Sequence, residues 1–172
     1  MLQDLKRLLE SLFLEATPVL YMPIAPSGAG KTTYYRKLKQ ENPRLEMFSL
    51  DALRHKLYDP YDYDRAFQMS TEDPTFRDRA NDTYLEMLKK KQDLFVDATN
   101  LTPEIRKFYL DGAKKLGYKT VGVVFSYDLD QLIARQKTRG DKDVPEIAVR
   151  RQASSLIGPG QGEFDEIQTV PK

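Results

Sequence analysis

Residues 25–33 read APSGAGKTT. A phosphate-binding loop of the strict form has Gly, four arbitrary residues, then Gly-Lys-Ser/Thr. Here Ala25 stands where the first glycine belongs, while Gly30, Lys31 and Thr32 fill the remaining positions. The flanks carry the reading. The apolar run VLYMPIA at 19–25 predicts a buried strand, and KTTYYRKLKQ at 31–40 predicts a helix. A strand, a glycine-rich turn and a helix N-terminus aim backbone N–H groups and positive potential at a phosphate. Ser27, Gly28, Ala29, Gly30 and Thr33 then form the cradle, Lys31 reaches the outer phosphate oxygens, and the Thr32 hydroxyl ligates Mg²⁺. Alanine suits the strand-to-loop corner provided its φ stays negative. The competing reading is a surface turn that carries a lysine.

Strand and helix patterns alternate through most of the chain. RLEMFSL (44–50), DLFVDA (93–98), KTVGVVFS (119–126) and DEIQTV (165–170) read as further strands. Helices are predicted over 51–58, 74–91, 103–116, 128–140 and 145–156. Thr102 before Pro103 is a strong start signal, and Gly117 a stop. The stretch DPYDYDRAFQMSTEDPT (59–75) has turn signals and no clear period, so it reads as a loop or short irregular insertion. Residues 2–14 place Leu2, Leu5, Leu8, Leu9 and Leu12 at helical spacing, for a helix that covers the core or docks a partner. This order predicts an α/β fold with a mainly parallel five-stranded sheet and helices on both faces. At 172 residues the chain fits a single domain over 1–172, with 1–16 as an N-terminal helical extension.

Composition excludes several chemistries. There is no cysteine, so thiol catalysis, disulfides and thiolate zinc sites are out. His55 is the only histidine, which rules out a histidine cluster, and it reads as structural. Net charge is +1, so a nucleic-acid partner must be met by a local patch. No apolar run is long enough to cross a membrane, and charges break the N-terminal segment, so a cytoplasmic location is expected.

Two carboxylates follow strands. Asp51 ends the second strand in SLDALR, with Arg54 one helical turn on. Beside a phosphate site, a carboxylate can take a proton from an attacking hydroxyl and an arginine fork can hold an anion. A helix-capping aspartate with a surface arginine fits the same spacing. Asp97 ends the third strand in LFVDATN and resembles a Mg²⁺-binding aspartate after an apolar strand. Thr99 and Asn100 read first as turn formers. Further on, RQKTRGDKDVP puts Arg135 and Arg139 four apart on one helix face. Residues 135–151 hold six basic and three acidic residues, which suits an arginine-bearing lid over 135–157 or, alternatively, a solvated helix end.

Together these motifs resemble the kinase domain of phage-type 5′-polynucleotide kinases, within the P-loop kinase group that also holds zeta-toxin-like enzymes. The similarity spans roughly 18–157 and rests on PSGAGKTT, SLDALR, DATNLTPEIRK and RQKTRGDKDVP. The resemblance implies a P-loop kinase fold in which Lys31 and Thr32 bind ATP and Mg²⁺, with Asp97 near the metal. It implies Asp51 as general base toward a 5′-hydroxyl of DNA or RNA, and Arg54 as clamp on the phosphate 3′ of the acceptor nucleotide. Arg139, assisted by Arg135, would act on the donor phosphates, Thr99 would touch the acceptor phosphate, and Val144 and Pro145 would border the terminal base. A homo-oligomer is compatible with this reading. Three features depart from the family: Ala25 for glycine, the N-terminal helix, and the lack of a DxDGT phosphatase motif. DATN is also one residue longer than the DTN form. A small-molecule kinase and a non-catalytic nucleotide-binding module are the competing functions, because fold does not fix substrate.

Overall fold

The computed structural model of the chain describes residues 1–5, 16–140 and 144–172. Most of the helix predicted over 2–14 lies outside them. The central strand β1 (Val19–Ile24) pairs in parallel with β3 (Leu94–Asp97) and with β4 (Lys119–Phe125). β2 (Glu46–Ser49) lies outside β3, and β5 (Glu166–Val170) outside β4. The order is β2-β3-β1-β4-β5 and every pairing is parallel. The chain leaves β1 toward one edge and later crosses to the other. The carboxyl end of β1 therefore opens at the switch point where such sheets bind ligands.

Both faces are covered, which is why the inner strands read as continuous apolar runs. On one face Leu20, Met22 and Ile24 pack with Tyr84 and Leu88 of α4 (Phe76–Lys89) and with Tyr109 and Leu110 of α5 (Pro103–Lys115). On the other, Val121, Val123 and Phe125 meet α1 (Lys31–Glu41). There Tyr34 sits edge-on to Phe125 at 5.7 Å. α6 (Leu129–Lys137) and α7 (Glu146–Ser155) share a small core of Leu132, Ile133 and Val149 beside Ala29.

The segment 59–75 corrects the sequence expectation. It is not a loop: it forms α3 (Tyr63–Glu72), capped by the Asp62 side chain on the Arg65 N–H. The period was hidden because the buried positions are Ala66 and Ser70, one small and one polar. Packing on α2 (Leu50–Leu57), through a hydrogen bond from Arg54 Nε to Ser70 Oγ, takes the place of an apolar stripe. The helix predicted to 140 also ends early, at Lys137, in a tightened turn where the Arg139 N–H reaches the Gln136 carbonyl. Arg139 thus lies beyond the helix and does not extend a common face with Arg135.

Sequence gave no sign of the role of Arg106. Its side chain is fully buried, pairs with Glu163 through bonds of 2.6 and 3.1 Å, and donates to the carbonyls of Asn100, Ile157 and Gly158. Removing the arginine strands a carboxylate and three carbonyls, so Arg106→Ala is expected to cost about 3–5 kcal/mol in chemical denaturation. Burial pushes the Glu163 carboxyl up, but the Arg106 bond, the Gly160 N–H and nearby cations outweigh it and hold it below its ordinary 4.5. A depressed carboxyl contributes fully above its unfolded value and loses that contribution as pH falls through its folded value. Stability should therefore decline on acidification below about pH 4.5, and Glu163→Gln should flatten that limb of a pH-resolved denaturation series.

Candidate functional site

The turn between β1 and α1 is built as the sequence requires. Ala25 is buried, and it is not among the described non-glycine residues with positive φ, which are Lys91 and Asn100. Its N–H donates to the Thr99 carbonyl at 3.1 Å, which fixes the corner without a glycine. Gly28 and Gly30 take φ of +87° and +97°, conformations that favour glycine. Gly30 is the N-cap of α1 and has no side chain to occupy the helix end, so the first-turn N–H groups face outward. Lys31 lies back across the loop, its Nζ donating to the carbonyls of Pro26 at 2.8 Å and Ala25 at 3.3 Å. Thr32 and Thr33 are exposed in the first turn of α1.

The loop is also gripped from α6 and α7. Gln152 Oε1 accepts the Ser27 N–H at 2.8 Å, and Arg135 Nη1 donates to the Gly28 carbonyl at 3.3 Å. Gln136 is buried against Gly28, and its amide has no hydrogen-bond partner among the described residues. Neither glutamine stood out in the sequence. Gln136 did leave a signal, since it is a polar residue on the stripe occupied by Leu132 and Ile133. Val144 packs against that same α6–α7 core, and Pro145 is the exposed N-cap of α7.

The loop divides two regions. Toward β4 and β5 a cavity of about 770 Å³ is lined by Gly30, Tyr34, Tyr127, Arg135, Val170 and Pro171, among others. Its size and mixed lining suit a nucleoside. Toward β2 and β3 stand the carboxylates. Asp97 is the last residue of β3, in register with Ser49 of β2, so its loop runs beside the start of α2. That helix is capped by Ser49, whose Oγ accepts the Ala52 N–H at 3.3 Å. Asp51 is therefore not the cap, and the capping reading of the sequence does not hold.

Asp51 instead accepts from Arg54 Nη1 at 2.7 Å and from the Tyr63 hydroxyl at 3.3 Å. Burial, then the adjacent Asp51 charge, raise the Tyr63 phenol to about 12, so it remains a donor at neutral pH. Nor is Arg54 a surface arginine. Its side chain is 15% exposed, with its guanidinium 4.9 Å from the Phe67 ring centroid and 5.2 Å from that of Phe76. Stacking of this kind fixes the plane of the fork. Tyr63 and Phe67 were hidden in the stretch read as a loop. His55 bonds the Asp59 carbonyl at 2.8 Å, which is the structural role expected of it.

Among the described residues no group of three or more His, Asp or Glu side chains is disposed to hold a metal. Mg²⁺ does not need one at such a loop, because phosphate oxygens and water supply most of its ligands. One hydroxyl, Thr32, and one carboxylate, Asp97, are the donor types that this mode uses. Thr99 lends its carbonyl to the Ala25 corner, and Asn100, at φ +50°, is the turn former expected from DATN.

The central loop, the strand order and the helices on both faces define a P-loop kinase fold. Residues 20–159 match the family described as AAA domain (AAA_33), and the chain belongs to that family. Among solved structures it is similar to a gluconokinase from Sinorhizobium meliloti 1021, with TM-score 0.60 at 18% identity over 90% of this chain and 82% of that one. It is similar also to Kti12 of Chaetomium thermophilum in complex with ADP-AlF3, with TM-score 0.64 at 14% identity over 88% of each chain. A fungal RNA kinase aligns with TM-score 0.58 at 17% identity, covering 90% of this chain and 74% of that one. At these identities the likeness is one of fold. No helix among the described residues is long and apolar enough to cross a membrane.

A Cβ added at Gly28 would clash with Gln136 Nε2. That amide end can move aside, so the larger cost is the strained φ, of order 1–3 kcal/mol. Gly28→Ala is accordingly expected to weaken ATP binding about tenfold or more in calorimetry, with the fold retained by circular dichroism.

Proposed function

We propose that this protein transfers the γ-phosphoryl group of ATP to the 5′-hydroxyl end of DNA or RNA. One observation carries the reading: at the carboxyl end of the sheet, across the loop from the nucleoside-sized cavity, Asp51 is joined to an arginine held between two phenyl rings. Such a pair suits an acceptor with a hydroxyl to deprotonate and an anion close beside it.

In this mechanism the loop from Ser27 to Thr33 cradles the donor phosphates, with Lys31 leaving the Ala25 and Pro26 carbonyls to reach them. Thr32 and Asp97 would hold Mg²⁺, which would supply positive charge against the donor phosphates. Asp51 takes the proton from the 5′-hydroxyl as that oxygen attacks the γ-phosphorus and the bond to the departing ADP oxygen breaks. Arg135 and Arg139 neutralise charge on the transferring group, from a lid over 135–157 in what we take as a single domain spanning the chain. Arg54 holds the phosphate 3′ of the acceptor nucleotide, Thr99 lies toward that phosphate, and Val144 and Pro145 border the terminal base. We place this activity in the cytoplasm, and homo-oligomer formation is compatible with it.

The gluconokinase likeness, as strong as that to the RNA kinase, favours a small-molecule acceptor as the second reading. Labelled ATP offered with a 5′-hydroxyl oligonucleotide, with nucleosides and sugars, and with no acceptor separates the two. Transfer to the oligonucleotide supports the proposal, and transfer only to nucleosides or sugars replaces it. Asp51→Asn is expected to lower kcat by about 10²–10⁴ with ATP affinity unchanged; full turnover in that variant removes the base assignment. Arg54→Ala should raise acceptor KM with little effect on the KM for ATP.

A further inference from the structure

Residues 59–82 hold seven carboxylates and three arginines. Two of those arginines are used locally, Arg65 on Asp59 at 3.5 Å and Arg79 on Asp73 at 2.6 Å. Arg77 has no ion pair and no hydrogen bond among the described residues. It stands in the first turn of α4, where a cation opposes the helix dipole. Arg77 is exposed, in a position where its own helix disfavours a cation, so its guanidinium is available to an anion from elsewhere.

Its surroundings fit one. Arg77 lines a pocket of about 180 Å³ between α2, α3 and α4, together with Arg54, Ser70, Thr71, Leu50 and Phe76. No carboxylate lines it. Arg54 enters the pocket already fixed: its Nε donates to Ser70 and its Nη1 to Asp51. Its Nη2 makes no hydrogen bond among the described residues and keeps donors for a ligand. The lining itself carries two guanidinium groups and no carboxylate, a charge that a phosphodiester meets and a neutral sugar does not.

We infer that the α2–α3–α4 pocket is an anion subsite in which Arg77 and Arg54 Nη2 together grip one phosphodiester of the acceptor strand. This deepens the function proposed above and rests on it. Arg77 becomes a specificity-determining residue: it favours a nucleic-acid end over a nucleoside or a sugar, because only the former brings a phosphate to a site that is otherwise cationic and unsatisfied. Of the seven carboxylates of the same segment, Asp59 and Asp73 are paired with Arg65 and Arg79, and none of the seven lines the pocket.

The test uses TpT, which has one phosphodiester and a free 5′-hydroxyl, and thymidine, which has the hydroxyl alone. Binding is measured by calorimetry without ATP, and the arginine Nε–H resonances are followed by NMR. TpT is expected to shift the Arg54 and Arg77 signals while thymidine leaves them in place. Arg77→Ala should raise the Kd for TpT about tenfold and reduce the slope of log Kd against log salt by about 0.7, the value for one contact to a single strand. Its thymidine and ATP binding should be unchanged, which also shows that the variant is folded. Absence of TpT binding to the wild type, or equal binding and salt slope in Arg77→Ala, overturns the subsite. Transfer is assayed in parallel. If TpT is phosphorylated while Arg77→Ala behaves as wild type, the subsite falls and the proposed reaction stands. If neither compound is phosphorylated while TpT binding depends on Arg77, the reaction falls and the subsite stands.

Discussion

The buried Asn100 side chain ties together the carboxyl ends of the two strands that carry the site. Its Nδ2 reaches the Pro23 carbonyl of β1 at 2.8 Å, the Val96 carbonyl of β3 at 3.3 Å and the Ala98 carbonyl at 3.2 Å. The ladder between parallel strands ends at this edge, so carbonyls there need other partners. The two N–H groups of one carboxamide are shared among the three, at the cost of a residue in left-handed backbone. The neighbouring Thr99 carbonyl then accepts the Ala25 N–H, and the phosphate loop starts from a corner that a non-glycine residue tolerates. Arg106 holds the Asn100 carbonyl from below and anchors it to the segment around Glu163. Loop, corner and Asp97 all inherit their positions from this junction.

From that fixed centre the two sides of the loop differ in construction. The β4–β5 side is open and is bounded in part by α6 and α7, which hydrogen-bond the loop through Gln152 and Arg135 and pack against its Gly28 and Ala29. The β2–β3 side is tightly built. Arg54 is held by Asp51, Ser70, Phe67 and Phe76 at once, so its fork is oriented before any ligand arrives. Pre-orientation lowers the entropy lost on binding and sharpens selection for an anion of the right geometry.

The sequence and the structure agree most closely where the signal is local. Strand–turn–helix order around Lys31, the Thr102-Pro103 start of α5 and the Gly117 stop depend on backbone preferences within a few residues. They were legible because sterics and capping act at that range. The helix α3 was not, because its buried face is Ala66 and Ser70 and its partner is a guanidinium from α2. Arg106 reads as a charged residue on an amphipathic helix until Glu163, 57 positions away, is folded against it. The roles of Gln152 and Tyr63 depend likewise on distant pairings, with Ser27 and Asp51.

By itself, then, the sequence determined an alternating α/β chain with a phosphate loop after its first strand, and it singled out Asp51, Arg54 and Asp97 as charges following strands. Periodicity and turn chemistry are properties of neighbouring residues, so they survive without a fold. Tertiary structure alone decided the strand order and that Ser49 rather than Asp51 caps α2. It alone set Arg54 against two rings and left Arg77, on the same pocket, without an ion pair among the described residues. Those outcomes turn on which distant groups share a desolvated space, and that is set only when the sheet order is.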